Sequence, residues 1–464
     1  MAAAQTDKTE LFAHMPVKKA LFTLAVPTII SQLVNLIYNM VDAFFIGRTG
    51  NSYMIAATSL TLTLLMMNTA LSNLFGIGGG SLMARLMGAG EPKEARRVSA
   101  FSVYGAIAVA LLYSLLIGVF TDPILTFLGA SPDTIGFARS YTQIVIVLGS
   151  VPVVLSQTLA HLLRNAGYSS QASIGLSGGG ILNVFLDPLF MFVLLPHGME
   201  VTGAAIATAL SNLIACIYLL LTYIRVGKTG PLSVSPKDAL RIRKNSIGRL
   251  FSVGVPSALL TGLFDLANIC VNIIAASHDD LVLAGIGIVM KVERFPNAVN
   301  IGICQGMLPI VAYNYSARNR ERMKETIRTA RYIGLIVSAI SIVLLEIFAR
   351  PVTRIFLSTS NGDAALALTT ISYAAMFLRI RCLGSPVQMI NYHTSYCMQA
   401  MGEGKATLLH AFVRELVFYI PLMFILDHFF GIVGLAAALP VGEGLGALFA
   451  LYLLRRVMKK SELS

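Results

Sequence analysis

Twelve stretches of about 20 or more predominantly apolar residues follow one another along this chain, at roughly 20–46, 52–88, 98–120, 135–162, 171–195, 201–225, 249–277, 283–315, 329–349, 364–400, 406–428 and 433–456. A helix of about 20 such residues crosses the hydrocarbon core of a bilayer. Lipid offers no partner to a bare backbone N–H or C=O, so segments of this length cross as helices that satisfy their own backbone. The chain therefore reads as an all-α polytopic membrane protein with twelve transmembrane helices. Its composition agrees, with 56% hydrophobic and 12% charged residues, against about a quarter charged in soluble domains. The first segment follows Lys18 and Lys19. It is too long for a secretory core, and no small-residue cleavage site follows it, so it is expected to be retained.

Lys and Arg collect on alternate connections, as the positive-inside rule requires of the cytoplasmic side. One set of loops holds Arg85 to Arg97, Arg225 to Arg249, Arg318 to Arg331 and Arg455 to Lys460, whereas the opposite set offers His197, Glu200, Asp279, Asp280 and Asp427. Both termini are expected in the cytoplasm. A net charge of +12 invites a nucleic-acid reading, but the cations are spread over short loops and not gathered with aromatics, so no nucleic-acid partner is expected and membrane lipid headgroups are. The five cysteines lie inside predicted helices at spacings that match neither a disulfide framework nor a zinc site. The seven histidines form no metal-ligand cluster and no nucleophile elbow is present, so nothing supports an enzyme and no cofactor is expected.

The chain matches itself. Leu21-Phe22 and Pro27 meet Leu250-Phe251 and Pro256, Gly76-Ile77 and Gly80 meet Gly302-Ile303 and Gly306, Gly167 meets Gly402, and Pro188 meets Pro421, all at offsets between 226 and 235 residues. A near-constant offset marks an internal repeat. An even number of helices per half gives both halves the same topology, related by an axis along the membrane normal. The expected divisions are a cytoplasmic N-terminal segment (1–19), a first six-helix lobe (20–225), a cytoplasmic linker (226–248), a second lobe (249–456) and a cytoplasmic tail (457–464), with a central cleft between pseudo-symmetric lobes. A cleft between two lobes that rock against each other is what an alternating-access carrier needs.

Polar side chains inside these segments point to function. Gln32, Asn35, Asn39 and Asp42 share one face of the first helix through +3, +4, +3 spacing. An acid such as Asp42 is costly in lipid unless it faces a wet cavity, an ion or a partner. In the fifth segment Asn183 and Asp187 are one turn apart and Pro188 follows, which frees a backbone carbonyl near Val184. Thr208 of the sixth segment reaches a similar depth. Asp42, Asn183, Asp187 and Thr208 together offer only oxygen ligands, which suits a hard cation such as Na⁺ and equally a carboxylate pair sharing a proton. In the second half, Thr261, Asp265, Asn268 and Asn272 form a comparable stripe, and Gln32, Asn35, Asn39, Asp265, Asn268, Asn272 and Glu293 are expected to line the substrate cavity. The second half also carries Lys291, Arg294, Arg379, Arg381, Arg414, Glu415 and Glu443 within its segments, and these charges should pair with one another or face the cleft. The glycine run Gly76 to Gly80 lacks the strand and Lys-Ser/Thr of a phosphate loop and reads as a site of close helix contact or bending.

Pro27 to Gly47, with its Gln32, Asn35, Asn39 and Asp42, resembles the opening helix of the multidrug and toxic compound extrusion (MATE) family. Gly76 to Arg97, Arg164-Asn-Ala-Gly167 and Asn183-Val-Phe-Leu-Asp-Pro188 resemble further stretches of it. The first-half acids point to its prokaryotic DinF-like and MepA-like branch. The resemblance implies an antiporter of the plasma (inner) membrane that expels amphiphilic, often cationic, compounds in exchange for Na⁺ or H⁺, for which a monomer suffices. It also implies that Asp42, Asn183, Asp187 and Thr208 correspond to the first-lobe cation site. In the NorM-like branch an acid of the tenth helix serves a second site, where this chain has only Arg379 and Arg381. The alternative is a flippase for lipid-linked or amphiphilic metabolites, whose mark would be a strongly basic cavity.

Overall fold

The structure, a computed structural model, describes residues 10–355 and 364–463. The start of the expected N-terminal segment, residues 1–9, and Ser464 of the tail lie outside the described residues. Helices α1 (Val17–Gly47), α2 (Ser52–Gly88), α3 (Pro92–Val119), α5 (Ser169–Leu194), α6 (Glu200–Gly227), α7 (Lys244–His278), α8 (Asp280–Ser316) and α9 (Arg320–Ile355) match the expected segments, with ends a few residues longer. A last helix, Gly404–Lys460, has 57 residues. At 1.5 Å per residue it would run about 85 Å, far more than one crossing. It breaks at Gly431, whose φ is 56°, into α11 (404–430) and α12 (432–460).

The fourth and tenth segments, read from sequence as continuous, are each bent. In α4, Ile135–Leu148 meets Ser150–Asn165 at 47°, and in α10, Leu366–Cys382 meets Ser385–Met401 at 51°. The breaks fall at Gly149, with Pro152 following, and at Gly384, with Pro386 following. Proline lacks an N–H and its ring excludes the preceding carbonyl turn, so a helix restarts there more easily than it continues. These helices occupy equivalent places in the two halves, and they end alike. Gly167 and Gly402 both take positive φ, 88° and 82°, and the next amides, Tyr168 and Glu403, donate back to Leu163 O at 2.8 Å and Met398 O at 2.9 Å. The same terminal motif in both halves is the repeat made visible in backbone geometry.

The halves form two six-helix lobes, and two seams join them. Helix α1 packs against α8, and α7 against α2, its repeat-related counterpart. Both seams are built on missing side chains. A Cβ on Gly306 would lie 2.7 Å from Ala25 Cα, one on Gly302 2.9 Å from Ile29 Cα, and one on Gly78 2.9 Å from Gly254 Cα. The Gly76 to Gly80 run thus serves close contact, as its composition suggested, with Gly76 against His161 and Gly80 against Asn165 within the first lobe. All of these contacts lie in the helix halves nearest the face that carries the start of α1 and the end of α12, and the cleft occupies the space beyond them.

Two further devices brace the terminal face. Leu11 and Phe12 are buried in the core that α1, α8 and α10 share, and the Phe12 ring stacks on Tyr313. Asn314 Nδ2 and Arg322 Nε donate to Phe12 O at 3.0 and 2.7 Å. The connection after α6 lies along the first lobe, where Arg96 Nη1 donates to Gly227 O at 2.7 Å and Gly230 O at 2.8 Å. Glu94 accepts from Arg243 N and from Ser246 Oγ at the start of α7.

Because α8 meets α1 backbone to backbone at Gly306, Gly306→Val should cost about 1–3 kcal/mol by overpacking and lower the thermal midpoint in detergent. Gly287→Ala, whose Cβ would meet nothing within 4 Å, should leave the midpoint unchanged or slightly raised.

Candidate functional site

The expected cation ligands converge. Helices α1 and α5 pack side by side, Tyr38 lying on Gly180. On α5, Asn183 and Asp187 are buried. Asn183 Nδ2 donates to Asp187 Oδ1 at 2.9 Å and to Thr208 Oγ1 of α6 at 3.3 Å. Asp42 stands across from them on α1, close enough for its charge to act on Asp187, and the Tyr141 phenol lies in the field of both acids and against Thr208. Three buried oxygens here have no hydrogen-bond partner: Asp42 Oδ1, Asn183 Oδ1 and Asp187 Oδ2. Two carboxylates in a desolvated site repel each other and lack enough donors. The donor set accommodates a hard monovalent cation, and equally one or more protons on the carboxyls.

A cavity of about 340 Å³ sits between the lobes beside this cluster. Gln32, Asn35 and Asn183 line it from the first lobe. Asn39 lies exposed beyond it, donating to Asn35 O at 2.6 Å. From the second lobe, Thr261 lines the cavity and accepts from Asn73 Nδ2 at 3.1 Å across the α2–α7 seam. The remainder of the second stripe does not take part as expected. The cavity reaches Phe264 on α7 and stops, so Asp265 faces the charge of Arg294, Asn268 is half-buried outside the cavity, and Asn272 is exposed. Helical spacing fixed their common face, but the depth of the cavity was not in the spacing.

Glu293 also leaves the expected set. It is gripped by Arg381, Nε to Oε1 and Nη2 to Oε2 both at 2.9 Å, and it does not line the cavity. Other second-lobe charges pair likewise, while Lys291 is exposed and Arg294 acts on Asp265. Arg414 donates to Glu443 at 2.9 and 2.5 Å, and Asn391 Nδ2 also holds Glu443. Glu415 lies 3.5 Å from Arg414, and Arg379 lies 3.7 Å from Glu346. Ser395 and Asn391 flank His410 at 2.9 and 3.1 Å. Among the described residues no group of three or more His, Cys, Asp or Glu side chains could hold a metal.

Several cavity residues were not expected from sequence to line it: Tyr38, Gln157, Arg164, Tyr396 and Gln399; Arg414, expected to pair or to face the cleft, does both. Arg164 is the instructive case. The fourth apolar segment was ended at 162, which left Arg164 outside it, whereas the helix runs to Asn165 and buries it. An arginine one turn from an apolar run, on the face of His161 and Gln157, was the available signal.

The MatE family model matches residues 27–189 and 256–425. The Multidrug export protein MepA of Staphylococcus saprophyticus is 30% identical over 447 residues, covering 96% of this chain and 95% of that protein. That of Staphylococcus aureus strain MRSA252 is 31% identical over 448 residues, with the same coverage. Among solved structures, "Outward-facing conformation of a multidrug resistance MATE family transporter of the MOP superfamily" superposes with a TM-score of 0.91 at 22% identity over 99% of this chain and 100% of that one. "Crystal structure of MATE in complex with MaL6" gives 0.91 at 21% over 98% and 99%. At these identities the structures establish the fold.

Arg414 is the one cation lying between two buried carboxylates among the described residues. Arg414→Ala should therefore cost about 3–5 kcal/mol, the penalty of stranding buried charge, and unfold the protein at markedly lower temperature. Combining it with Glu443→Gln should recover part of the loss in the same melting assay.

Proposed function

This chain belongs to the MatE family, and we propose that it is a cation-coupled exporter of amphiphilic, often cationic, organic compounds, working by alternating access in the plasma membrane of a prokaryote. The observation that carries this reading is the oxygen cluster of Asp42, Asn183, Asp187 and Thr208, with three unpartnered buried oxygens, set beside a cavity between two lobes. The MepA relatives, multidrug export proteins by name, support the cargo. With both termini in the cytoplasm, as the basic loops favour, the sealed seams lie on the inner side and the cleft faces out.

In this state a Na⁺ ion or protons entering from outside neutralise the Asp42 and Asp187 pair. The acids sit on neighbouring helices, so relief of their repulsion draws α1 and α5 into a different packing. The cavity wall built from Gln32, Asn35 and Asn183 shifts with them. A bound cationic compound then loses the nearby negative charge that held it and leaves outward. Coupling follows because cation and cargo favour different states of the same pair of helices. The protein transports and does not catalyse, a single chain holds the whole cleft, and residues 226–248 link the lobes on the cytoplasmic side.

The flippase alternative needs a strongly basic cavity. Of Arg294, Arg379, Arg381 and Arg414, only Arg414 lines the cavity, and Glu443 pairs with it; with Arg164 the lining holds a single uncompensated arginine, short of a strongly basic cavity, so this reading is not favoured.

Purified protein in liposomes, loaded with a cationic dye, should show faster efflux under an imposed gradient. Acceleration by Na⁺ at constant pH assigns the cluster to sodium, and acceleration by a pH gradient without Na⁺ assigns it to protons. Asp42→Asn and Asp187→Asn should each reduce efflux to the rate seen without a gradient. Wild-type rates in both variants would remove this mechanism.

A further inference from the structure

The charges that line the cavity are the reverse of those expected around a purely cationic cargo. Among the described residues the lining contains no acid, and its two charged groups are Arg164 and Arg414. Arg414 is held by Glu443, but Arg164 has no carboxylate partner. It is only 4% exposed. Its Nη2 donates to Ser31 Oγ at 3.1 Å, and its Nε is buried with no acceptor. A buried guanidinium with one neutral partner is far from satisfied, since an arginine carries five N–H donors and its charge lacks compensation.

Two neighbours of Arg164 add donors, in a cavity whose lining also carries the unpartnered amide oxygens of Gln305 and Gln399. Tyr396 of α10 lines the same end of the cavity, within the field of Arg164. Its phenol oxygen accepts from Gln305 Nε2 at 3.4 Å, which leaves the phenol proton to give. His161, one turn earlier on α4, lines this end too. The acids stand elsewhere. Along α1, Asp42 is eleven residues from Ser31, about 16 Å of helix rise. The cleft thus has a cationic, donor-rich inner end near the seams and an acidic outer side at Asp42 and Asp187.

We propose that Arg164 and Tyr396 form an anion-binding subsite that takes the carboxylate of zwitterionic amphiphiles, whose cationic group then lies toward the Asp42 and Asp187 side. This rests on the exporter reading and names a substrate class within it. A planar carboxylate matches the guanidinium fork, and hydrogen bonds to a charged group are the strong ones. Cargo of this class spans the length of the cleft, whereas a simple cation engages one end.

Rhodamine 110 and rhodamine 123 differ by methylation of a single carboxylate and make a matched pair of probes. Binding of each to the purified wild-type protein, read by fluorescence anisotropy without any gradient, should be at least as tight for the free acid as for the ester. Arg164→Gln should weaken rhodamine 110 about tenfold more than rhodamine 123, the loss of one hydrogen-bonded charge contact. Arg164→Lys, which keeps the charge, should recover part of that preference. Equal weakening of both dyes in Arg164→Gln, or wild-type protein that prefers the ester, would overturn the subsite. Should Arg164→Gln fail to fold by size exclusion, the wild-type preference and Arg164→Lys still decide. Gradient-driven efflux of rhodamine 123 by the wild type tests the exporter reading separately, so a bound but untransported dye would refute transport and not the subsite.

Discussion

The bilayer interior supplies no hydrogen bonds, and that deficit orders the whole molecule. Every polar or charged side chain within the twelve helices must find its partner in protein, in a wet cavity or in cargo. The second lobe pairs its buried charges internally, although Arg381 Nη1 and Glu415 Oε2 keep no hydrogen-bond partner. Arg414 with Glu443 and Glu415, Arg381 with Glu293, and His410 between Ser395 and Asn391 close on themselves. The first lobe leaves the requirement partly unmet at Asp42, Asn183 and Asp187 and at Arg164. A satisfied network gives rigidity, and an unsatisfied one marks where something from outside completes the chemistry. The repeat has thus supplied one fold twice with two electrostatic characters.

The seams turn that division into an architecture. Glycine and alanine at the α1–α8 and α2–α7 contacts bring backbones together where lipid gives no hydrophobic drive, so association rests on close packing. The bends of α4 and α10 fall at matching places in the two lobes and carry Arg164 and Tyr396 to the end of the cavity nearest the seams. The repeat therefore fixes both how the lobes close and what their inner ends present.

Much of this was legible in the chain. Twelve helices followed from the length of apolar runs, because that length is set by the bilayer and not by the fold. The Asn183, Asp187 and Thr208 contact followed from one-turn spacing and depth, and the glycine run announced close approach. What escaped was whatever depended on a third dimension. Glu293 lies 88 residues from Arg381, and no local pattern pairs them. Asn268 and Asn272 occupy the expected face beyond the end of the cavity. Arg164 fell two residues outside a segment drawn by hydropathy, and Leu11 and Phe12, buried against the second lobe, precede the first apolar segment. The bends at Gly149 and Gly384 were written as glycine followed by proline, but an apolar window averages over such breaks.

A seam made of backbone against backbone has a mechanical consequence. Long side chains at an interface can re-pack stepwise as it loosens, passing through many half-open arrangements. At Gly306 and Ala25, or Gly78 and Gly254, there is no side chain to swing into an opening gap, and the first displacement forfeits most of the dispersion attraction at once. Such a joint yields abruptly, like a snap fastener and unlike a hinge with play. A protein whose two lobes are fastened this way spends little time ajar, and that brevity limits what can slip between the lobes unaccompanied.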